Sequence, residues 1–146
     1  MIIQSGPKAG KSTQELFLKE HDWLWFFVSK NPQSKLADEF RRHDRKLTEK
    51  VFLENCFKCT NRATYMTVYR GNVRSVMFWC GDCDPYSQGA RSGILSSIEN
   101  IDQVNLFIDR YCGGKREDRR VLVRKLAEAK GLPKRVGAKT AENFLR

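Results

Sequence analysis

Four cysteines in two closely spaced pairs restrict the folds open to this chain more than any other feature. Cys56 and Cys59 stand in the sequence C-F-K-C, and Cys80 and Cys83 stand in C-G-D-C. Twenty residues separate the two pairs. A C-x-x-C turn can place two sulfur atoms at the Zn–S distance of about 2.3 Å from one ion. The spacing therefore predicts a four-thiolate site, with Zn²⁺ as the cofactor.

The segment between the pairs has the pattern of a β-hairpin. R-A-T-Y-M-T-V-Y-R and V-R-S-V-M-F-W are rich in β-branched and aromatic residues, and Gly71-Asn72 between them is typical of a two-residue turn. Two cysteine pairs that close a hairpin resemble a zinc ribbon, here over residues 54–86. Disulfides are the alternative, but no secretory signal is visible, which favours zinc. A closed four-thiolate site has no position for water, so its expected role is structural.

Four thiolates complete a tetrahedral site, so no further ligands are expected. We expect Cys112 to be a buried or bystander thiol, and His21 and His43 to lie on helix surfaces. The rings of Phe78 and Trp79 either stack on unpaired bases or pack against the adjoining helices. For Trp79, which precedes a ligand cysteine, we expect packing against the helices, because a small ribbon rarely leaves a tryptophan in water.

A large excess of positive charge indicates a polyanionic partner. The 146 residues include 27 Lys or Arg and 17 Asp or Glu, giving a formal net charge of +10. Nucleic acid is the first candidate, and an acidic protein is the alternative. The mean hydropathy is −0.57, and no apolar run approaches the ~20 residues of a membrane span. We expect a cytoplasmic protein of a bacterium or a phage-infected host cell, with no membrane partner and no secretion.

The N-terminal stretch S-G-P-K-A-G-K-S-T ends like the Walker A motif of nucleotide-binding proteins, but a serine occupies the position of the first glycine. A Walker A loop also needs a parallel sheet, for which the mostly helical residues before the first cysteine pair leave no room. A thymidine-kinase-like enzyme with a zinc lid is therefore disfavoured. Gly6 and Gly10 instead predict a tight turn from which Lys8 and Lys11 contact the phosphates of a strand, with a solvated basic turn as the alternative.

The same segment resembles the small C-terminal module of exodeoxyribonuclease X-like proteins over residues 1–45. That module contains a β-hairpin with a basic turn and helices packed behind it, occurs in small phage and bacterial proteins, and implies a role in holding DNA. The chain departs from the family pattern at Pro7 and Lys8, and it lacks the exonuclease domain, so no nuclease activity is implied. The matching residues are Gly6, Gly10, Lys11, Ser12, Leu16, Asp22 and Trp25.

We predict an α+β fold in three units. Residues 1–50 form a small β-hairpin/helix module, residues 51–86 the zinc ribbon, and residues 87–146 a helical basic region that opens with a polar loop at 87–91.

Apolar residues recur at helical spacing in residues 34–54 and 101–111. We also expect a short helix over residues 92–100 and a basic helical tail over residues 115–146. A helix-turn-helix within the tail is an alternative to a solvated basic helix.

These patterns favour a non-catalytic zinc protein that binds nucleic acid, with DNA expected, in replication, recombination, repair or transcription. No acid pair, Ser/His/Asp set or Cys/His dyad presents itself, so we expect no enzyme. The alternative is an adaptor that docks on a polymerase, a nuclease or another protein complex. Cations would contact phosphates and rings would stack on bases. The expected contact residues are Lys8, Lys11, Arg62, Tyr69, Arg70, Arg74, Arg119, Arg120, Arg124, Lys134, Arg135 and Lys139.

Overall fold

The α+β prediction is confirmed by a computed structural model, which describes residues 1–85 and 94–146. The described residues form six α-helices and one three-stranded antiparallel sheet. In chain order the elements are α1 (Thr13–Lys19), α2 (His21–Lys30), α3 (Lys35–Glu49), β1 (Tyr65–Tyr69), β2 (Asn72–Trp79), β3 (Leu95–Ile98), α4 (Ile101–Tyr111), α5 (Arg116–Ala129) and α6 (Ala138–Phe144). The expected polar loop at 87–91 and the boundary expected at residue 86 lie outside the described residues.

The segment before α1 folds back on itself in a tight turn, as the glycine spacing predicts. The Ile3 N–H donates to the carbonyl oxygen of Lys11, and the Gly10 N–H donates to that of Ile3, each at 2.9 Å. Gly6 and Gly10 have φ angles of +84° and +87°, which glycine adopts without the steric cost of a Cβ atom. The hydroxyl of Ser12 then caps α1.

The predicted hairpin forms, but its turn lies one residue earlier than the sequence pattern indicated. Tyr69 pairs with Asn72, so Arg70 and Gly71 make the turn. Val68 pairs with Val76, so the pairing register shifts by three residues of β2 next to the turn.

The prediction of a short helix over residues 92–100 is wrong for the described part of that range. Leu95–Ile98 is strand β3, which pairs antiparallel with β1 on the edge opposite β2. β1 is covered on both faces, with Met66 0% and Thr67 1% exposed. Its backbone N–H and C=O groups therefore need partners on both edges, and β3 supplies them on the second edge.

One hydrophobic core joins the helices to one face of the sheet. Met66 and Val68 of β1 contribute to it, together with Phe17 and Leu122 from helices α1 and α5. Because strand side chains alternate between the two faces, Thr67 points to the opposite side of the sheet. Buried residues from all three predicted units take part in this core. The positions of the unit boundaries stay a prediction.

The expectation that His21 and His43 lie on helix surfaces is wrong, since their side chains are 0% and 2% exposed. His21 Nδ1 lies 3.0 Å from the Phe17 carbonyl oxygen, and His43 Nε2 lies 2.9 Å from the Thr13 hydroxyl. Both rings pack against the edge or face of Phe17. Burial lowers the pKa of His21 to about 3 and that of His43 to about 4, so both are neutral near pH 7.

The basic tail is helical, as predicted, and consists of α5 and α6 joined by residues 130–137. Lys130 is buried, and its ammonium group donates to the Leu47 carbonyl oxygen at 3.0 Å, at the C-terminal end of α3. Among the described residues no helix has the length and apolar character needed to cross a bilayer.

Candidate metal centre

The four cysteines predicted as ligands come together. Their Sγ atoms all lie within 4.8 Å of one another. The Sγ atoms of Cys59 and Cys80 are 3.6 Å apart, and those of Cys80 and Cys83 are 3.5 Å apart. Around a tetrahedral ion with bonds of about 2.3 Å, neighbouring sulfurs are about 3.8 Å apart. The cluster therefore has the dimensions of a site that could hold one metal ion.

Backbone hydrogen bonds hold the two cysteine pairs at one end of the hairpin. The Cys56 N–H donates to the Asn61 carbonyl oxygen at 2.8 Å, which closes the turn that carries the first pair. The Phe57 N–H donates to the Phe78 carbonyl oxygen at 2.7 Å, which ties this turn to β2. Cys80 follows directly after β2, so the strand itself positions the second pair.

Trp79 is buried, with 1% of its surface exposed, but the expectation that it packs against the adjoining helices is wrong, since it packs beside the cysteines. Its indole Nε1–H donates to the Thr67 hydroxyl at 2.9 Å, and its ring centroid is 5.7 Å from that of Phe57. The Tyr65 hydroxyl donates to the Cys83 carbonyl oxygen at 3.3 Å. These contacts form a second, small buried group on the face of the sheet opposite the main core; we call it the cysteine cluster. Its buried and partly buried members are Cys56, Cys59, Tyr65, Met77, Trp79, Cys80 and Cys83.

The cysteine cluster favours negative charge at one sulfur and resists it at another. Burial disfavours the Cys56 thiolate, but hydrogen bonds from the backbone at Cys80, Cys59 and Lys58 outweigh burial and lower its pKa to about 6. The hydrogen bond with the Cys80 sulfur raises the pKa of Cys83 to about 12. Several thiolates this close repel one another, and a divalent cation removes that repulsion. The donor set therefore fits a metal ion.

Cys112 is not part of the metal centre. It is partly buried against the main core, as expected for a bystander thiol, and burial raises its pKa to about 11.

The twelve residues expected to contact nucleic acid fall into three groups. In the first group, Lys8 and Lys11 of the N-terminal turn both bind the carboxylate of Glu20, Lys11 at 2.7 Å. Burial disfavours the Glu20 carboxylate, but hydrogen bonds from Lys11 and Lys8 outweigh burial and lower its pKa. The sequence pattern did not indicate this partner, because Glu20 lies beyond the turn, at the junction of α1 and α2. One carboxylate neutralises only part of the charge of two ammonium groups.

In the second group the guanidinium groups are held by the protein itself. That of Arg70 stacks over the Tyr111 ring at 4.2 Å from the centroid, and that of Arg74 lies 3.6 Å from a Glu117 oxygen. Arg124 donates to the Lys134 carbonyl oxygen. Arg70 and Arg74 thus join the hairpin to α4 and α5, whereas Arg124 joins α5 to the segment that follows it.

Arg119 also belongs to the second group, and the expectation that it contacts nucleic acid is wrong for this arrangement. Its side chain is 2% exposed. The guanidinium carbon lies 3.7 Å from the Trp25 ring centroid, and the group donates to the Asn105 side chain. Arg119 therefore joins α5 to α2 and α4 and has no surface to offer to a phosphate.

The third group remains exposed, and within residues 1–85 and 94–146 its cationic groups have no ion-pair partner. Three of its members lie close together at the junction of α5 and α6. Tyr69, the one aromatic residue in the prediction, is half-buried at the end of β1. The exposed cationic members are Arg62, Arg120, Lys134, Arg135 and Lys139.

Comparison with protein-family models, with curated proteins and with solved structures found no match to this chain. The resemblance to zinc ribbons and to the exodeoxyribonuclease X-like module therefore rests on the sequence motifs alone. The finding that stands independently of any family is the cluster of four cysteines.

Proposed function

We propose that this chain is a non-catalytic zinc protein that binds nucleic acid, with DNA expected, as an accessory in replication, recombination, repair or transcription. The observation that carries the proposal is the exposed basic segment formed by Lys134, Arg135 and Lys139. We call it the α5–α6 basic segment.

Buried apolar side chains hold this segment in place. Leu132 and Val136 are 4% and 8% exposed, and Ala141 of α6 is fully buried. Arg124 fastens the Lys134 carbonyl oxygen to α5. These contacts fix the backbone between these positions, so phosphate binding would add no cost for ordering the backbone. Contacts of this kind position a protein on a nucleic-acid backbone.

Zinc is the metal that best fits the cysteine cluster. Four thiolates at C-x-x-C spacing in a closed tetrahedral arrangement are typical of structural zinc sites. The cysteine cluster would hold the hairpin end together and leave the binding of nucleic acid to the basic surfaces.

The proposal is tested by removing the charges of the α5–α6 basic segment. The variant Lys134→Gln/Arg135→Gln/Lys139→Gln is compared with Lys35→Gln/Arg45→Gln/Lys46→Gln, which removes three exposed cations from α3. Affinity for labelled single- and double-stranded DNA and RNA is measured by anisotropy across a range of salt concentrations. For duplex DNA we expect the first variant to reduce the slope of log K against log [salt] by about 2 to 3, because each phosphate contact contributes about 0.9.

The control variant should change that slope by less than about 1, because its cations belong to α3 and not to the segment. Equal reductions of the slope in the two variants would indicate that nucleic acid is attracted by the net charge of the protein alone. An unchanged slope in the first variant, or no affinity for any of the four nucleic-acid forms, would contradict the proposal.

An adaptor function is favoured by a different observation. Val51 and Leu53 precede the first cysteine pair and Phe57 lies within it, and their side chains are 59%, 56% and 61% exposed. Exposed apolar side chains this close in sequence are typical of protein contacts. A purified polymerase or nuclease complex that binds the wild-type chain but not Phe57→Ser, with unchanged nucleic-acid affinity, would support the adaptor over the direct binder.

Two observations weigh against a nucleotide-binding enzyme. The sheet formed by the described residues is antiparallel throughout, whereas a Walker A loop follows a strand of a parallel sheet. Lys11, the lysine of the motif, is bound to Glu20.

A further inference from the structure

Three aromatic side chains of α2 form a partly exposed stripe, in which Trp23 packs against the main core and Phe26 and Phe27 are exposed. Phe26 and Phe27 are 43% and 36% exposed, and Trp23 is partly buried. Trp23 and Phe27 are one helical turn apart, and their rings are stacked with centroids 5.6 Å apart and planes inclined by 17°. We call Trp23, Phe26 and Phe27 the α2 aromatic surface. Exposure of adjacent large rings indicates a binding site.

A cavity of about 450 Å³ adjoins this surface. Trp23 and Phe27 line one side, and Ile3 and Pro7 of the N-terminal turn line the other. The volume lies within the range of about 300 to 1,000 Å³ that is usual for small-molecule sites, and the walls are mostly apolar. A flat aromatic group can therefore enter between the turn and α2.

Cations surround the rings. The Lys8 ammonium lies 5.8 Å from the Trp23 ring centroid. Phe26 has two cations near its ring, the Lys30 ammonium at 4.2 Å and the Arg116 guanidinium at 5.1 Å. The acids nearby are Glu20, shared by Lys8 and Lys11, and Asp22, which lies 3.7 Å from Arg116. Four cations and two acids leave this region positive.

We propose that the α2 aromatic surface binds single-stranded nucleic acid by stacking unpaired bases on its rings, while Lys8, Lys30 and Arg116 contact the phosphates. Rings provide stacking platforms for bases of any sequence, and the surrounding cations follow the backbone. The positive charge matches a polyanion and opposes a basic partner such as a second copy of this chain. A duplex keeps its bases stacked inside and gains nothing from the rings. The inference rests on the proposed function and adds a strand preference to it.

The test separates stacking from charge. The double variant Phe26→Ser/Phe27→Ser is compared with Phe57→Ser, which removes an exposed ring beside the cysteine cluster. The ligands are a thymidine strand of about 12 nucleotides, an abasic strand of the same length and a duplex. Stacking is worth about 1 to 3 kcal/mol per base, so we expect the double variant to bind the thymidine strand at least tenfold more weakly. Phe57→Ser should bind as the wild type does.

The abasic strand has the same phosphates but no bases, so wild type and double variant should bind it equally and weakly. Phe26→Tyr/Phe27→Tyr keeps the rings and should retain wild-type affinity, which separates loss of stacking from loss of folding. Tighter binding of the abasic strand than of the thymidine strand, or equal affinities of wild type and double variant for the thymidine strand, would overturn the inference. So would a wild-type dimer that the double variant dissociates, since the surface would then bind a second copy.

Failure of the underlying function has a different outcome. In that case the wild type binds none of the three ligands, and the α5–α6 basic segment variant resembles the wild type. If the wild type binds all three ligands through the basic segment but the serine variant is unaffected, only the strand preference fails.

Discussion

The main core and the cysteine cluster lie on opposite faces of the same sheet and differ in what can hold them together. The main core packs side chains from each of the six described helices against the sheet, and these apolar side chains are almost wholly buried. In the cysteine cluster only Cys56, Trp79 and Cys80 are buried, and two of these three are expected metal ligands. Apolar burial stabilises the first region, whereas the second has too little apolar surface to be stable alone. A bound metal ion is therefore expected to stabilise the cysteine cluster and to contribute little to the stability of the main core.

Strand β1 is the boundary between the two regions. Met66 and Val68 belong to the main core, while Thr67 accepts the hydrogen bond from Trp79 of the cysteine cluster. The strand can thus remain in place through its core side even when the cysteine cluster is disrupted.

The largest expected effect is that of metal removal. A chelator, or Cys80→Ser, should abolish binding of one zinc ion per chain and disorder the surroundings of Trp79, because structural zinc contributes about 10 to 16 kcal/mol to the folding of small metal-dependent domains. Near-ultraviolet circular dichroism should lose the contribution of Trp79, while the contributions of Trp23 and Trp25 on α2 and the far-ultraviolet helix signal should persist. Metal content is measured by mass spectrometry.

Cys112→Ser is the matched control, since Cys112 packs against the main core and lies outside the cysteine cluster. It should keep the full zinc content. Loss of the helix signal together with the metal would show that the two regions do not differ as described.

A smaller effect, on the main core, is expected on acidification. Burial holds the pKa of His43 at about 4, against 6.5 for an exposed histidine. Below pH 6.5 the unfolded chain binds a proton that the folded chain does not, so the free energy of unfolding falls as the pH falls towards 4. Between pH 7 and pH 4.5 the wild type should lose on the order of 2 kcal/mol more than His43→Gln. Urea unfolding followed by far-ultraviolet circular dichroism measures the difference.

Metal release at low pH affects wild type and variant alike, so it cancels in this comparison. Parallel pH profiles for the two proteins would mean that His43 is protonated in the folded chain or exposed to solvent, against the burial described above.

The smallest effect is expected at the boundary between the regions. Thr67→Val keeps the shape of the side chain but leaves the buried Trp79 N–H without its acceptor, which costs about 1 to 3 kcal/mol. If the two regions are separable, the Trp79 contribution to the near-ultraviolet signal should be lost at a lower urea concentration than the helix signal. Thr67→Ser retains the hydroxyl and should lose less stability than Thr67→Val. Equal losses of stability in the two variants would indicate that Thr67 contributes through packing and not through the hydrogen bond from Trp79.

The cysteine pairs, the hairpin and the helices of residues 101–111 and the tail could be predicted from local patterns, because each depends on side chains close together in sequence. The helix expected over residues 34–54 also forms, but it ends at Glu49. Strand β3 could not be predicted in this way. Leu95–Ile98 is too short to show a clear alternation of apolar and polar residues, and it becomes a strand because it pairs with the free edge of β1. The turn lies at Arg70-Gly71 and not at Gly71-Asn72, because Asn72 pairs with Tyr69 across a register shift that the sequence pattern does not indicate.

For the candidate sites, the sequence by itself determined the ligand set of the metal centre, since two C-x-x-C turns joined by a hairpin can bring four sulfurs together without help from the rest of the chain. Which cations remain available to a partner was decided only by the tertiary structure. Arg119 is buried against Trp25, and Lys8 and Lys11 share Glu20, whereas Lys134 and Arg135 stay exposed. The physical reason is that burial and ion pairing are set by neighbours distant in sequence, and net charge alone carries no information about them.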